Sequence, residues 1–217
     1  MMSNAIQFSP YKPVEMFDAF VDKSLQLTIV EGVVREYQNA KMWCETEFRF
    51  PESADVLAHY RRACIESLLC ELAKQHPEFR ITTRVNARRN CSHRLVCCGR
   101  VILTQSLVEH EGLLPREAVY REGYARDPQL YLFVEKDLPQ EDVSLYGIIT
   151  HMPLSGKENG VPAFVDIVFP DEEYKVILGR IPLLDRFPRV MGAIAATAQE
   201  TIPDTLQAKL RAREEKA

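Results

Sequence analysis

The chain has 217 residues, of which 46% are hydrophobic and 27% are charged, and its formal net charge is −4. A chain of this length and composition can bury a core as a single domain and is unlike a disordered protein. The acidic net charge excludes a protein that coats nucleic acid over its whole surface, so any such contact has to be local. No apolar run approaches the roughly 18 residues that a membrane span needs, which predicts no membrane association.

The N-terminal third of the chain is predicted to contain two helices with a strand between them. Pro13 suits a first helical turn, and apolar residues at three- and four-residue steps predict a helix over about 13–38 with a break near Gly32. Residues 41–50 alternate in polarity with a period of two, which predicts a strand, although Glu45 and Glu47 fit the end of a helix equally well. A second helical pattern runs over about 52–75.

The next stretch, residues 79–108, is the most basic part of the chain. It holds six arginines and one histidine but no Asp or Glu. A period of two predicts a strand over 80–87, and residues 88–92 suit a turn. Apolar and β-branched residues predict a second strand over 93–108, with a bulge or a close approach to the backbone at Gly99. The prediction is an antiparallel hairpin with an arginine-rich tip.

The arginines of this hairpin are the candidate ligand-binding residues. A guanidinium group donates a planar fork of hydrogen bonds that matches phosphate oxygens, and several such groups raise the local positive potential. Strand alternation places Arg80 and Arg84 on one face of the first strand. The expected ligand is a nucleic acid or another phosphate-bearing molecule. The candidate residues are Arg80, Arg84, Arg88, Arg89 and Arg94.

An alternative is that these arginines are already paired with acidic residues and have a structural role. If residues 41–50 form a strand beside the hairpin, Glu45 and Glu47 are natural cross-strand partners for Arg80 and Arg84. A related hypothesis is a regulatory or protein-interaction function, in which the arginines contact an acidic surface of a partner protein without any nucleic-acid activity. The sequence leaves these interpretations open.

The second half of the chain predicts another hairpin, with helices around it. A mixed-charge connector over 109–128 precedes it. Prolines and glycines separate the patterns that follow. The predicted elements are a short helix over about 115–122, a buried strand or short helix over 130–135, strands over 143–151 and 163–169 joined by a turn at 155–160, a short helix over 171–178, and a helix over about 187–200.

These elements predict an α+β fold, because they lack the regular βαβ alternation of a parallel sheet. The sheet is expected to be mostly antiparallel and built from two hairpins, with helices packed on one face. In this prediction residues 1–202 form a single domain. Residues 203–217 form a charged C-terminal tail.

Two short patterns suggest phosphodiester chemistry. Arg88 and His93 have an R-x4-H spacing, which resembles the catalytic motif of some helical ribonucleases and implies an Arg and a His acting on the scissile phosphate. Asp166 precedes an E-x-K formed by Glu173 and Lys175. This order resembles restriction-enzyme-type nucleases, in which two carboxylates hold Mg²⁺ and the lysine positions water. A nuclease or phosphodiesterase is therefore a further hypothesis.

Cysteine usage and the lack of other motifs complete the expectations. The six cysteines include no C-x-x-C pair, which predicts reduced thiols in a cytoplasmic protein rather than a disulfide framework or a metal site. The chain has no Walker-type phosphate loop and no H-E-x-x-H motif, so no cofactor and no metal are expected. His151, alone at the end of a predicted strand, fits a structural role. The sequence leaves the identity of the ligand and the oligomeric state open.

Overall fold

A computed structural model describes residues 12–85, 92–127, 145–155, 160–190 and 192. Three helices come first in the described chain. The Asp22 carboxylate accepts a hydrogen bond from the Leu25 backbone N–H at 2.8 Å, and it thereby caps the start of the second helix. The third helix has the bounds that its apolar pattern predicts. The three helices are α1 (Pro13–Phe20), α2 (Lys23–Glu47) and α3 (Glu52–Gln75).

The described strands form one six-stranded sheet, and their spatial order follows the chain. They are β1 (Phe79–Val85), β2 (Ser92–Cys98), β3 (Val101–Leu107), β4 (Leu145–Pro153), β5 (Pro162–Pro170) and β6 (Ile177–Pro182). Two antiparallel three-stranded meanders meet at the centre, where β3 and β4 run parallel. A parallel pair needs a crossover connection. Helix α4 (Val119–Arg126) lies within this connection, and a short helix α5 (Leu183–Arg186) follows β6.

Helix α2 continues to Glu47, so the strand predicted over 41–50 is wrong and the alternative, a helix end at Glu45 and Glu47, is confirmed. The side chains of Ala40 and Cys44, four residues apart, are both buried, as expected for one face of a helix. The alternating polarity in this stretch comes from apolar residues that the helix leaves exposed. Glu45 and Glu47 lie on a helix and are not cross-strand partners of the hairpin arginines.

The break in the first predicted helix is also misplaced. Residues 21 and 22 have extended backbone between α1 and α2, whereas Gly32 lies inside α2. A β-carbon at Gly32 would come within 2.6 Å of Leu68 Cδ1 on α3. The glycine therefore allows α2 and α3 to pack closely and does not end the helix.

Two tight turns replace other predicted features. The predicted 93–108 strand divides into β2 and β3 at Gly99, whose φ of +53° is readily adopted by glycine, so this residue forms a turn and not a bulge. The alternative of a close approach agrees with the structure, because a β-carbon at Gly99 would lie 2.6 Å from the ring of Phe20. The predicted helix over 171–178 is a turn leading into β6. One oxygen of the Asp171 side chain accepts hydrogen bonds from two backbone N–H groups of this turn, at 2.6 and 2.9 Å.

Helices together with a mixed, mostly antiparallel six-stranded sheet confirm an α+β fold. The described helices lie against both faces of the sheet, so the expected packing on one face is not confirmed. Val101 and Leu103 belong to the main core, where they pack with helices α1–α3. Ile102 lies on the other face by strand alternation, in a second cluster with Tyr124 of α4. The two expected strand pairs are antiparallel, β1 with β2 and β4 with β5, and each has a third strand beside it that was not expected as a separate strand of the sheet.

Several predicted features lie outside the described residues. They are the loop that carries Arg88 and Arg89, the element at 130–135, most of the helix over 187–200, and the tail over 203–217. Among the described helices, none is both long and apolar enough to cross a bilayer.

Candidate ligand groove between helix α3 and strand β2

The sheet register separates the hairpin arginines that the sequence grouped together. Arg84 is the cross-strand neighbour of His93, so these two side chains lie on the same face of the sheet, and Arg80 shares that face. Arg94 follows His93 and therefore lies on the opposite face, which helix α3 covers. The described arginines of the hairpin do not form one continuous surface.

Arg94 lines an open groove between α3 and β2 with a volume of about 350 Å³. Helix α3 contributes one side of the groove because residues three, four and seven positions apart share a helical face. Arg62 of α3 and Arg94 of β2 both line the groove, so two different elements contribute arginines to it. The polar lining residues are His59, Arg62, Glu66, Ser67, Ser92 and Arg94.

Contacts to the protein fix both arginines at the walls of the groove. Arg62 Nη2 donates a hydrogen bond to the backbone carbonyl of Ser92 at 3.1 Å. Arg94 Nη1 donates to the hydroxyl of Thr83 on β1. A guanidinium has five N–H donors, and this contact uses one of those of Arg94.

Glu66 is the acidic residue of the groove, and both of its carboxyl oxygens are held. Oε1 accepts a hydrogen bond from Gln105 Nε2 at 2.8 Å, and Oε2 accepts one from the Arg94 backbone N–H at 2.9 Å. Burial raises the pKa of Glu66, while the two hydrogen bonds and the charges of Arg62 and Arg94 oppose that rise and favour the carboxylate. The groove therefore combines two guanidinium groups with one fixed carboxyl group.

A chain of buried hydrogen bonds leads from Glu66 into the core. His151 Nε2 of β4 lies 3.0 Å from Gln105 Oε1, and His151 Nδ1 lies 2.7 Å from the Tyr37 hydroxyl of α2. Gln105, His151 and Tyr37 are 5%, 1% and 0% exposed. We call Tyr37, His151, Gln105 and Glu66 the buried relay.

The hydrogen bonds of the buried relay run in one direction because His151 is neutral. Burial, and then the charge of Arg61, lower the pKa of His151 to about 3. A neutral imidazole carries a single N–H. Since the Gln105 carbonyl oxygen can only accept, that N–H is on Nε2, and Nδ1 accepts from the Tyr37 hydroxyl. Each donor of the relay therefore points toward Glu66.

Arg61 places a buried cation against the inner end of the relay. It is 3% exposed, and its guanidinium carbon lies 4.4 Å from the centroid of the Tyr37 ring. Such a contact attracts the cation to the electron-rich face of the ring. Burial lowers the pKa of Arg61 and raises that of Tyr37, so the Tyr37 hydroxyl keeps its proton and remains a donor.

His93, a catalytic candidate from the sequence, lies on the face away from the groove. Its ring stacks on that of Tyr120 in α4 at a centroid distance of 3.9 Å, and its Nε2 lies 3.2 Å from the hydroxyl of Tyr124 in the same helix. Burial, followed by the charges of nearby arginines, lowers the pKa of His93 to about 4. His93 is therefore a neutral, packed side chain in strand β2.

The other catalytic candidates are distributed over two separate ion pairs. Asp166 is 1% exposed and accepts a hydrogen bond from Arg180 Nε at 2.7 Å, and Arg180 also contacts Glu111. Glu173 and Lys175 pair with each other at 2.7 Å on an exposed turn. The nuclease hypothesis built on these residues stays a prediction. No group of three or more His, Cys, Asp or Glu residues that could hold a metal occurs within the described part of the chain.

Sequence reasoning missed most of the groove and the relay. Arg62 and Glu66 look like ordinary surface residues of an amphipathic helix, and only Arg94 was among the candidates. The available signals were polar residues inside apolar strands, namely Gln105 and His151. A buried polar side chain requires a partner, so such residues indicate a network even when the sequence does not reveal its members.

Comparison of the chain with known protein families, with curated proteins and with solved structures gave no match. The groove and the buried relay are therefore the features of the molecule that bear on its function.

Proposed function

We propose that the protein binds a small phosphate-bearing ligand in the groove between α3 and β2. The observation that carries this proposal is the convergence of Arg62 and Arg94 from two different elements on one groove. Guanidinium pairs are well suited to phosphate because their donors match its oxygens in number and direction. The hydroxyl groups of Ser67 and Ser92 supply further donors at the groove wall.

The shape of the site favours a small molecule over a nucleic acid. A volume of about 350 Å³ lies at the lower end of the range of roughly 300–1,000 Å³ that is typical of small-molecule sites. A nucleic acid needs a basic surface that follows its backbone. Arg80 and Arg84 are separated from Arg94 by the sheet and cannot extend the groove into such a surface.

Isothermal titration calorimetry with inorganic pyrophosphate at low salt tests the proposal. We expect Arg94→Glu and Arg62→Glu each to weaken binding by at least about tenfold, because reversal loses one attractive contact and adds a repulsive charge. Arg80→Glu is the matched control, since it makes the same charge change on the same hairpin but on the other face. Circular dichroism checks that all variants are folded.

Three results would contradict the proposal. One is the absence of pyrophosphate binding at millimolar concentration, and another is an equal loss in Arg80→Glu and Arg94→Glu. The third is salt-dependent binding of labelled single-stranded DNA or RNA that requires Arg80 and Arg84 and is indifferent to Arg94. That last result would assign the function to the opposite face of the hairpin and to nucleic acid.

A second candidate function, protein interaction, is favoured by an exposed apolar patch at the turn between α2 and α3. Met42, Trp43, Phe48 and Phe50 are 65%, 38%, 36% and 84% exposed. Trp43 stacks on Tyr60 at a centroid distance of 4.1 Å, which fixes its orientation. Clustered exposed apolar side chains are typical of interaction surfaces.

The charge around this patch indicates its partner. Residues 41–55 contain four acidic and two basic side chains. We propose that the patch binds a basic amphipathic segment of a partner protein, whose apolar face would cover the aromatic residues while its Lys or Arg residues meet the acidic rim.

Trp43 is the single tryptophan of the chain, so its fluorescence reports on the patch directly. A designed amphipathic helix with leucines on one face and lysines on the other should shift the emission to shorter wavelength, and Phe50→Ser should weaken the effect. An equal response to the same helix with glutamates in place of lysines would contradict the proposed partner. A shift that depends only on protein concentration would indicate self-association instead.

A further inference from the structure

We propose that the groove selects a ligand that carries a hydrogen-bond donor, most simply an amine, a few bonds away from its phosphate group. The inference rests on the proposed phosphate-binding function and adds a role for Glu66. Arg62 and Arg94 account for the anionic part of the ligand. Glu66 lies in the same groove, and its carboxyl group favours a hydrogen-bond donor or a positive charge on the ligand.

Glu66 is held ready to accept further hydrogen bonds. A carboxylate has about four lone-pair sites on its two oxygens. Gln105 Nε2 and the Arg94 backbone N–H occupy one site on each oxygen. Both protein partners donate to the carboxyl group and favour its charged form, and its remaining lone-pair sites can serve a ligand in the groove.

The buried relay fixes the donor that reaches Glu66 from the core. Tyr37 donates to His151, His151 donates to Gln105, and Gln105 therefore presents its amide N–H₂ to the carboxylate. Reversing the Gln105 amide would place two acceptors, its own oxygen and Glu66, against each other. The relay thus acts as a positioning device that keeps Glu66 an acceptor at the groove surface.

The geometry also limits the distance between the two ligand groups. The Glu66 carboxylate is hydrogen-bonded to the backbone N–H of Arg94, the residue whose guanidinium serves the phosphate. The acceptor and the cation that recognise the ligand are therefore carried by two residues that are in direct contact. A compact ligand with an amine and a phosphate on adjacent carbons matches this arrangement better than an extended one.

The test compares two probes that differ only in the amine, phosphorylethanolamine and ethyl phosphate, by isothermal titration calorimetry. Wild type should bind phosphorylethanolamine about tenfold more tightly, as expected for one hydrogen bond to a charged group. Glu66→Gln should abolish this preference while it keeps or improves binding of ethyl phosphate. Arg94→Glu should weaken the binding of both probes.

A variant of the relay separates positioning from a general structural role. Tyr37→Phe leaves the charge of Glu66 intact, and we expect it to reduce the preference between the probes while ethyl phosphate binds as in wild type. A purely structural effect would change both affinities together and leave their ratio unaltered, which would overturn the role assigned to the relay.

The outcomes distinguish the inference from the function on which it rests. Equal affinity of wild type for both probes, with a loss in Arg94→Glu, would overturn the amine selectivity and leave phosphate binding in place. A preference that survives in Glu66→Gln would likewise overturn it. Binding of neither probe would contradict the phosphate-binding function itself.

Discussion

The hydroxyl of Tyr37 is the strongest single test of the buried relay. Tyr37→Phe removes one oxygen but keeps the ring, which packs against Arg61 and meets the His151 ring edge to face at a centroid distance of 5.6 Å. His151 Nδ1 then loses its donor in a site that is 1% exposed. Packing is almost unchanged, so the measured effect reports mainly on the hydrogen bond.

The expected cost follows from leaving a buried acceptor without a partner. Such a group costs about 1–3 kcal/mol of unfolding free energy, and we expect about 2 kcal/mol here. For a chain of this size that corresponds to a fall in melting temperature of about 4–8 °C. Urea denaturation followed by circular dichroism measures the change directly, and an unaltered slope would show that the native state keeps its compactness.

A control and a double mutant make the result specific. Tyr60→Phe removes a hydroxyl that interacts with the Cys64 thiol, and because sulfur forms weak hydrogen bonds we expect a cost of at most about 0.5 kcal/mol. Combining Tyr37→Phe with His151→Leu should show a coupling energy of at least about 1 kcal/mol. Equal costs of the two Tyr→Phe changes, or additive effects of Tyr37 and His151, would refute the relay.

Three further predictions concern pH, an ion pair and a turn. The pKa of His151 is about 3 in the folded protein, against an ordinary value of 6.5. Between these two pH values the imidazole is protonated in the unfolded chain but not in the folded one, so the free energy of unfolding falls as the pH drops below 6.5. Urea denaturation should show a loss of about 2 kcal/mol from this residue between pH 6.5 and 5, which His151→Gln removes; a pH-independent midpoint would contradict this. Arg180→Met should lower the free energy of unfolding by about 2–3 kcal/mol, because it leaves the buried Asp166 carboxylate without its ion-pair partner. Glu111→Gln, on the exposed side of the same arginine, should lower it by less than about 1 kcal/mol in the same assay. Gly99→Ala should lower the melting temperature more than Gly112→Ala. Both glycines have a positive φ, but of the two only Gly99 lies so close to a side chain that an added β-carbon would come within 2.6 Å of it, namely of Phe20. Equal shifts of the two variants in a thermal melt would refute that account.

Local patterns in the sequence determined several elements of the fold. The bounds of α3 follow from apolar residues at helical spacing, and the alternation of Arg80 and Arg84 predicted their common face, which the register of β1 shows. These features succeed because a helix face or a strand face is set by neighbouring residues in the chain. The strand predicted over 41–50 is wrong because local patterns can also mislead. Exposed apolar residues at the end of α2 produce an alternation with a period of two although the segment is a helix.

Only the tertiary structure decided the candidate site. The sequence grouped the hairpin arginines by proximity in the chain, but the sheet places Arg84 and Arg94 on opposite faces, and α3 packs against one face alone. Tyr37 and His151 are 114 positions apart and meet only because β4 lies beside β3 under helix α2. Hydrogen bonds between distant elements leave no periodic signal in a sequence, because each residue shows its polarity but not its partner. The fold class was therefore readable from the chain, whereas the groove and the buried relay depend on packing that brings α2, α3, β2, β3 and β4 together.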